Sequence, residues 1–361
     1  MNKRIKVFVT SLHFSMYGER FSLCGYTTHT FWKGSFVKYG NVEEVSLQDC
    51  DIVCIFVTYL GERYVFDLEL ATQIAKLNKP IVIFDYSEYG GHVIDHLPQY
   101  NMYGYILETD GLRSGDYGLL HNFLCDHQSQ IKCYFKRELS ALNDLHKVPF
   151  RVKPIEFIGD VYHTDDTPST IEEYFNRPCV FNFIWGYSNV SRPLFQGMMM
   201  YRFQELHAHL ALSFRQVQEY LNNPVGKFII LVNHAWYERV NISELMRVQR
   251  NSYATVDLYG AGLKCFRNVE STANCLSIKQ DPTKMVFTYP WIDGHNCITL
   301  PTLENSNILD AEKSINKILD VWKNNRISFY NMYLKSIDTN NLYRPKNYVP
   351  NHIIKNIMEV I

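Results

Sequence analysis

Apolar residues in this chain fall into short unbroken runs set between stretches of helical period. Asp51–Thr58 and Ile81–Asp85 are almost wholly apolar, which suits strands buried on both faces. Between Tyr64 and Lys79 the apolar positions recur at helical spacing, and Pro80 stops that helix just before the next strand. Strand, helix, strand in that order implies a right-handed parallel crossover. Arg4–Thr10 supplies a first strand. Further strands over 104–107, 131–135 and 153–162, with a helix over 117–125, continue the alternation, so the first half reads as an α/β sheet domain.

The composition shifts at 163–170, a polar, acidic, proline-containing stretch that marks a linker. A short helix over 172–175 precedes Cys179–Trp185, another buried strand, and the pattern restarts. The loop 186–192 leads into a helix with Pro193 in its first turn. A helix then follows that includes His207 and His209. Next come a strand over 227–232, a helix over 243–250 opened by Ser243 and Glu244, and a strand over 254–258. An aromatic-rich loop over 289–299, helices over 310–321 and 326–336, and an amphipathic tail over 347–361 complete the chain. The expected organisation is a first domain 1–168, a second domain 169–345 and a terminal helix 346–361.

The most site-like segment is Ala254–Glu270. It reads as a strand, a turn permitted by Gly260 and Gly262, and a helix starting near Lys264. Lys264, Arg267 and Glu270 are spaced by three and so share a helix face, at the end where free backbone N–H groups favour an anion. A diphosphate fits the cations. Glu270 suits a neutral hydroxyl such as that of a ribose. In open parallel sheets, ligands bind outside the carboxyl ends of strands. That rule selects His13, Glu19 and Arg20 after the first strand, and Asp85 and Glu88 after the third.

Gly-x-Gly-x-Lys-x-Phe-Arg-x-x-Glu after a strand, followed by the strand-like Asn274–Ile278, resembles the donor-binding unit of GT-B glycosyltransferases. The resemblance covers the C-terminal half best. It implies two Rossmann-like α/β domains facing across a cleft, with a terminal helix crossing back to the first domain. It also implies a nucleotide-diphosphate sugar donor held by Arg192, Gly260, Gly262, Lys264, Arg267 and Glu270. The implied activity is hexosyl or pentosyl transfer that needs neither cofactor nor metal. An inverting enzyme of this kind needs a general base, for which Asp85 and Glu88 are the first candidates and His13 the next.

Net charge is -1, so overall electrostatics single out neither nucleic acid nor membrane as partner. No stretch is long and apolar enough for a membrane span. The nine cysteines are scattered without Cys-x-x-Cys, as expected for reduced thiols in a cytoplasmic protein, host cytoplasm if the source is viral. A monomer or small homo-oligomer is expected. On a helix, the two-residue spacing of His207 and His209 argues against a shared metal. The P-loop motif, the dinucleotide fingerprint after the first strand and the Gly-x-Ser-x-Gly elbow are all missing.

One charged stretch bears on the acceptor. Lys132, Lys136, Arg137, Lys147, Arg151 and Lys153 face only Glu138 and Asp144 in opposition. This is either a solvated basic face or the seat of a polyanion. Phage enzymes that glycosylate hydroxymethylated bases in DNA have this two-domain plan, so the acceptor is a glycan or such a base, with Glu19, Arg20, Lys136 and Arg137 as its contacts. A non-catalytic two-domain protein that binds a nucleotide or carbohydrate is the alternative.

Overall fold

A computed structural model of the chain describes residues 4–15, 29–57, 64–86, 115–137, 139, 141, 148–156, 167–185, 191–211, 214–233, 242–258, 267–301 and 308–361. The first half contains β1 (Ile5–Thr10), β2 (His13–Ser15), α1 (His29–Tyr39), β3 (Val42–Glu44), β4 (Ile52–Val57), β5 (Tyr64–Phe66), α2 (Leu68–Leu77), β6 (Ile81–Asp85), α3 (Gly115–Asp126), β7 (Ile131–Lys136) and β8 (Arg151–Pro154). Six of these strands form one parallel sheet in the order β3-β1-β4-β6-β7-β8. Every residue of β4 and β6 is buried, as their unbroken apolar runs require of strands covered on both faces. The expected helix from Tyr64 begins later than its periodicity suggests. Tyr64–Phe66 instead pairs antiparallel with β2, and α2 starts where the Asp67 side chain accepts the Leu70 N–H at 2.9 Å. The expected strand over 153–162 overlaps β8 only at residues 153 and 154; residues 155 and 156 lie beyond the strand, and 157–162 lie outside the described residues, as do 104–107.

In the second half come α4 (Ile171–Asn176), β9 (Cys179–Trp185), α5 (Ser191–Arg202), β10 (His207–Ala211), α6 (Phe214–Asn222), β11 (Phe228–Asn233), α7 (Ile242–Arg250) and β12 (Ser252–Asp257). They are followed by α8 (Arg267–Asn274), β13 (Leu276–Gln280), β14 (Ile298–Leu300), α9 (Ile308–Asn324) and α10 (Arg326–Leu342). A second parallel sheet has the order β10-β11-β9-β12-β13-β14. Thr170 and Glu173 close a reciprocal capping box that starts α4 just after the polar stretch. His207 and His209 sit on β10 and not on a helix, which removes the helical-spacing argument made from them.

A core of Phe181, Phe195, Val256, Ile315, Trp322 and Phe329 joins the second sheet to α5, α9 and α10. The first sheet has a different partner on one face. The helical run 345–358, wound as a π-helix over Val349–Ile354 where Pro350 contributes no N–H, packs Tyr348, Val349, Ile353 and Ile357 against Val7, Ile52, Phe84 and Phe135. His352 Nε2 donates to the Pro154 carbonyl at 2.8 Å, and Arg151 pairs with Glu359. The chain's end therefore returns to the first sheet, as the resemblance to GT-B glycosyltransferases implies.

Segment 281–297, between β13 and β14, crosses the same way. The Val286 N–H donates to the Leu139 carbonyl at 2.8 Å. Thr288 gives its N–H and hydroxyl to Glu156, at 3.0 and 2.7 Å, and Tyr348 Oη donates to the same carboxylate at 2.5 Å. Glu156 is only 3% exposed, so these three donors replace the water that its oxygens lose. Tyr348→Phe and Thr288→Val should each destabilise the protein by about 1–3 kcal/mol, the cost of withdrawing a donor from a buried acceptor. Because both serve one carboxylate, the double variant should depart from additivity, as measured by urea denaturation of all three variants.

Candidate functional site

The strand order of the second sheet determines where a ligand can sit. From β9 the chain goes to one side to form β10 and β11, then crosses to the other side to form β12, so β9 and β12 are neighbours from which successive connections diverge. A crevice opens outside the carboxyl ends of two such strands. Asn182, fully buried on β9, accepts the Thr255 hydroxyl of β12 at 2.5 Å and donates to the Ala254 carbonyl at 3.3 Å, which fixes the two strands side by side. β9 ends at Trp185 and leads to α5, whose second residue is Arg192. β12 ends at Asp257 and leads to α8, which starts at Arg267 with Glu270 one turn further on. The topology thus brings both chain segments selected from the sequence to one edge of one sheet. Gly260, Gly262 and Lys264 lie outside the described residues, as do the side chains of Arg192, Arg267 and Glu270.

α8 is held firmly from behind. Ser271 and Thr272 are buried, Asn340 of α10 donates to Thr272 Oγ1 at 2.8 Å, and Arg250 of α7 donates to Asn274 Oδ1 at 3.1 Å. At the end of β12 the Asp257 carboxylate meets Lys279 Nζ of β13 at 3.4 Å, with side chains only 6% and 3% exposed. The same ammonium lies 4.6 Å from the centre of the Trp291 ring in the crossing segment, a cation–π contact.

The first sheet ends in a matching device. Asp85, the last residue of β6, pairs with Lys136 of β7 at 3.1 Å, neither side chain exposed at all, and accepts the Tyr134 hydroxyl at 2.7 Å. This corrects the expectation that Asp85 is a base at the open end of a strand: its carboxylate is enclosed and neutralised. Lys136 and Arg137 are corrected on the same ground. Both are buried, so they present no charge to a polyanion, and the basic stretch of the sequence is not one solvated face. Tyr86 adjoins them. Burial pushes its phenol well above the ordinary value, the Glu156 charge adds to that rise and the Arg137 charge opposes it. His13 lies on β2, its side chain outside the described residues, and Glu19, Arg20 and Glu88 are outside them altogether.

Sequence reasoning missed Glu156, Lys279, Thr288 and Trp291. A signal existed for Lys279, a lysine breaking the apolar pattern at the end of a strand when the preceding strand ends in an aspartate. Glu156 was hidden inside the expected strand over 153–162, whereas β8 ends at Pro154, two residues before it.

Removing one charge of an enclosed pair strands the other. Lys136→Met should therefore destabilise the protein by about 3–5 kcal/mol, whereas Lys136→Met combined with Asp85→Asn should regain much of that loss, in chemical denaturation curves.

The sequence matches no protein-family model and no curated protein. Solved structures do resemble it. One described as the apo form of OtsA superposes with a TM-score of 0.50 at 11% identity, over 91% of this chain and 78% of that one. Another, of trehalose-6-phosphate synthase with bisubstrate glycomimetics, superposes with a TM-score of 0.50 at 10% identity, over 92% and 83%. Two parallel, Rossmann-like sheets in sequence and a terminal helical run returning to the first give this chain the GT-B fold.

Proposed function

We propose that this protein is a glycosyltransferase, moving a hexosyl or pentosyl group from a nucleoside-diphosphate donor to an acceptor hydroxyl. The observation that carries the reading is the divergence at β9 and β12, which starts α5 and α8, with Arg192, Arg267 and Glu270, from adjacent strand ends. The neighbours in structure, named as trehalose-6-phosphate synthase, support it. In this reading Arg192, Lys264 and Arg267 bind the diphosphate and neutralise the charge that grows on it as the glycosidic bond breaks, the task otherwise given to a metal ion. Gly260 and Gly262 let the backbone approach the phosphates, and Glu270 accepts a ribose hydroxyl. The acceptor binds at the first sheet, near Glu19 and Arg20. If transfer inverts the anomeric centre, Glu88 or His13 takes the acceptor proton, because Asp85 is bound to Lys136.

A glycan is favoured over DNA as acceptor. Of the basic stretch, Lys136 and Arg137 are buried and Arg151 is engaged by Glu359, so few cations remain there for phosphates. Among the described residues no helix is long and apolar enough to cross a membrane.

Incubation with UDP-, GDP- and ADP-sugars should release free nucleoside diphosphate from at least one of them. Binding without any release would favour the non-catalytic alternative. Arg267→Ala should weaken nucleoside-diphosphate binding by about 1.5–3 kcal/mol, roughly 10- to 150-fold, in calorimetry while sparing the nucleoside. Glu270→Gln should weaken both. The wild type should show no steep loss of duplex DNA binding between low and moderate salt, and a steep loss would restore DNA as acceptor.

A further inference from the structure

We propose that Lys279 is a positioning residue for the donor site, tying the carboxyl end of β12 to the crossing segment 281–297. The inference rests on the donor reading given above. Its geometric basis is independent of that reading.

Among the contacts of the Lys279 ammonium are two from different parts of the molecule. One is the Asp257 carboxylate, at 3.4 Å, the last residue of β12 and so the fixed end from which the connection to α8 departs. The other is the Trp291 ring, 4.6 Å away, in the crossing segment. Trp291 is 6% exposed and stacks on Tyr343 at 6.1 Å with an interplanar angle of 23°. The Tyr343 hydroxyl accepts the Tyr289 N–H at 3.0 Å and donates back to the Tyr289 carbonyl. Next to Tyr289, Thr288 is seated on Glu156 at the end of the first sheet.

A buried charge is costly to maintain, and an apolar pair of similar volume would fill the same space without the desolvation penalty. The pair has a directional property that packing lacks. The Lys279 ammonium is held by both the carboxylate and the ring, so displacing Trp291 removes part of its stabilisation and shifts where it holds Asp257. Asp257 in turn determines how β12 delivers the chain to α8, where Arg267 stands. The seating of segment 281–297 on the first sheet and the affinity of the second sheet's edge for a nucleoside diphosphate should therefore depend on each other.

The test uses the full-length protein with UDP, GDP and ADP as probes, read by calorimetry and by the tryptophan emission that Trp291→Phe removes. In the wild type, the tightest of the three should change that Trp291 emission on binding. Lys279→Met should weaken it at least tenfold and abolish the emission change, and Trp291→Phe should weaken it several-fold. The double variant should bind no worse than Lys279→Met alone, because both act through one ammonium. If Lys279→Met does not fold, the affinity loss in Trp291→Phe and the wild-type emission change decide the matter. A variant less stable to urea but with unchanged nucleoside-diphosphate affinity, or Trp291 emission insensitive to ligand, overturns the proposal and leaves the donor site in place. A wild type that binds none of the three overturns both.

Discussion

The carboxylate of Glu156 is enclosed just beyond the last strand of the first sheet, and two distant parts of the chain meet it there. Its donors include Thr288 from the segment between β13 and β14 and Tyr348 from the terminal helical run. A carboxylate so far out of water is tolerable only while fully hydrogen-bonded, so neither element can withdraw without leaving a charge unsatisfied. The apolar contacts around it, Tyr348, Val349 and Ile353 on Phe84 and Phe135, supply most of the burial. Unlike them, the hydrogen bonds to Glu156 specify one register for both crossing elements.

Around that point the two sheets share a second rule. In each, one strand ends in an aspartate whose register partner on the next strand is a lysine, Asp85 of β6 with Lys136 of β7 and Asp257 of β12 with Lys279 of β13. Parallel strands covered on both faces carry apolar side chains until the sheet stops, and a polar group at the last position must find its partner within the sheet or in solvent. Here both aspartates find it across the sheet. The consequence for function differs between the halves: in the first the pair withdraws a carboxylate from chemistry, and in the second it steadies the end of β12.

Much of this was legible in the sequence because it depends on local rules. The strands β6 and β9 and the helices α7 and α10 follow from apolar period. What was not legible depends on partners far apart in the chain. Asp85 at the end of an apolar run has the same sequence signature whether it faces a substrate or a lysine 51 residues later, and only the register of β6 on β7 decides which. His207 and His209 fit a helix by composition, and pairing with β11 made them a strand. Lys136 and Arg137 count as surface charge in any linear tally, and the fold buries them.

This burial also bears on how such a protein can recognise an acceptor. A near-neutral chain that encloses part of its basic residues gives up long-range attraction for a polyanion, and with it the main source of non-specific affinity for nucleic acid. Under the proposed function, selectivity must then come from short-range contacts near the strand ends of the first sheet. The second half, under the same proposed function, faces the opposite demand, since a diphosphate leaving group needs cations wherever its charge develops, and Arg192 and Arg267 stand in the first turns of α5 and α8.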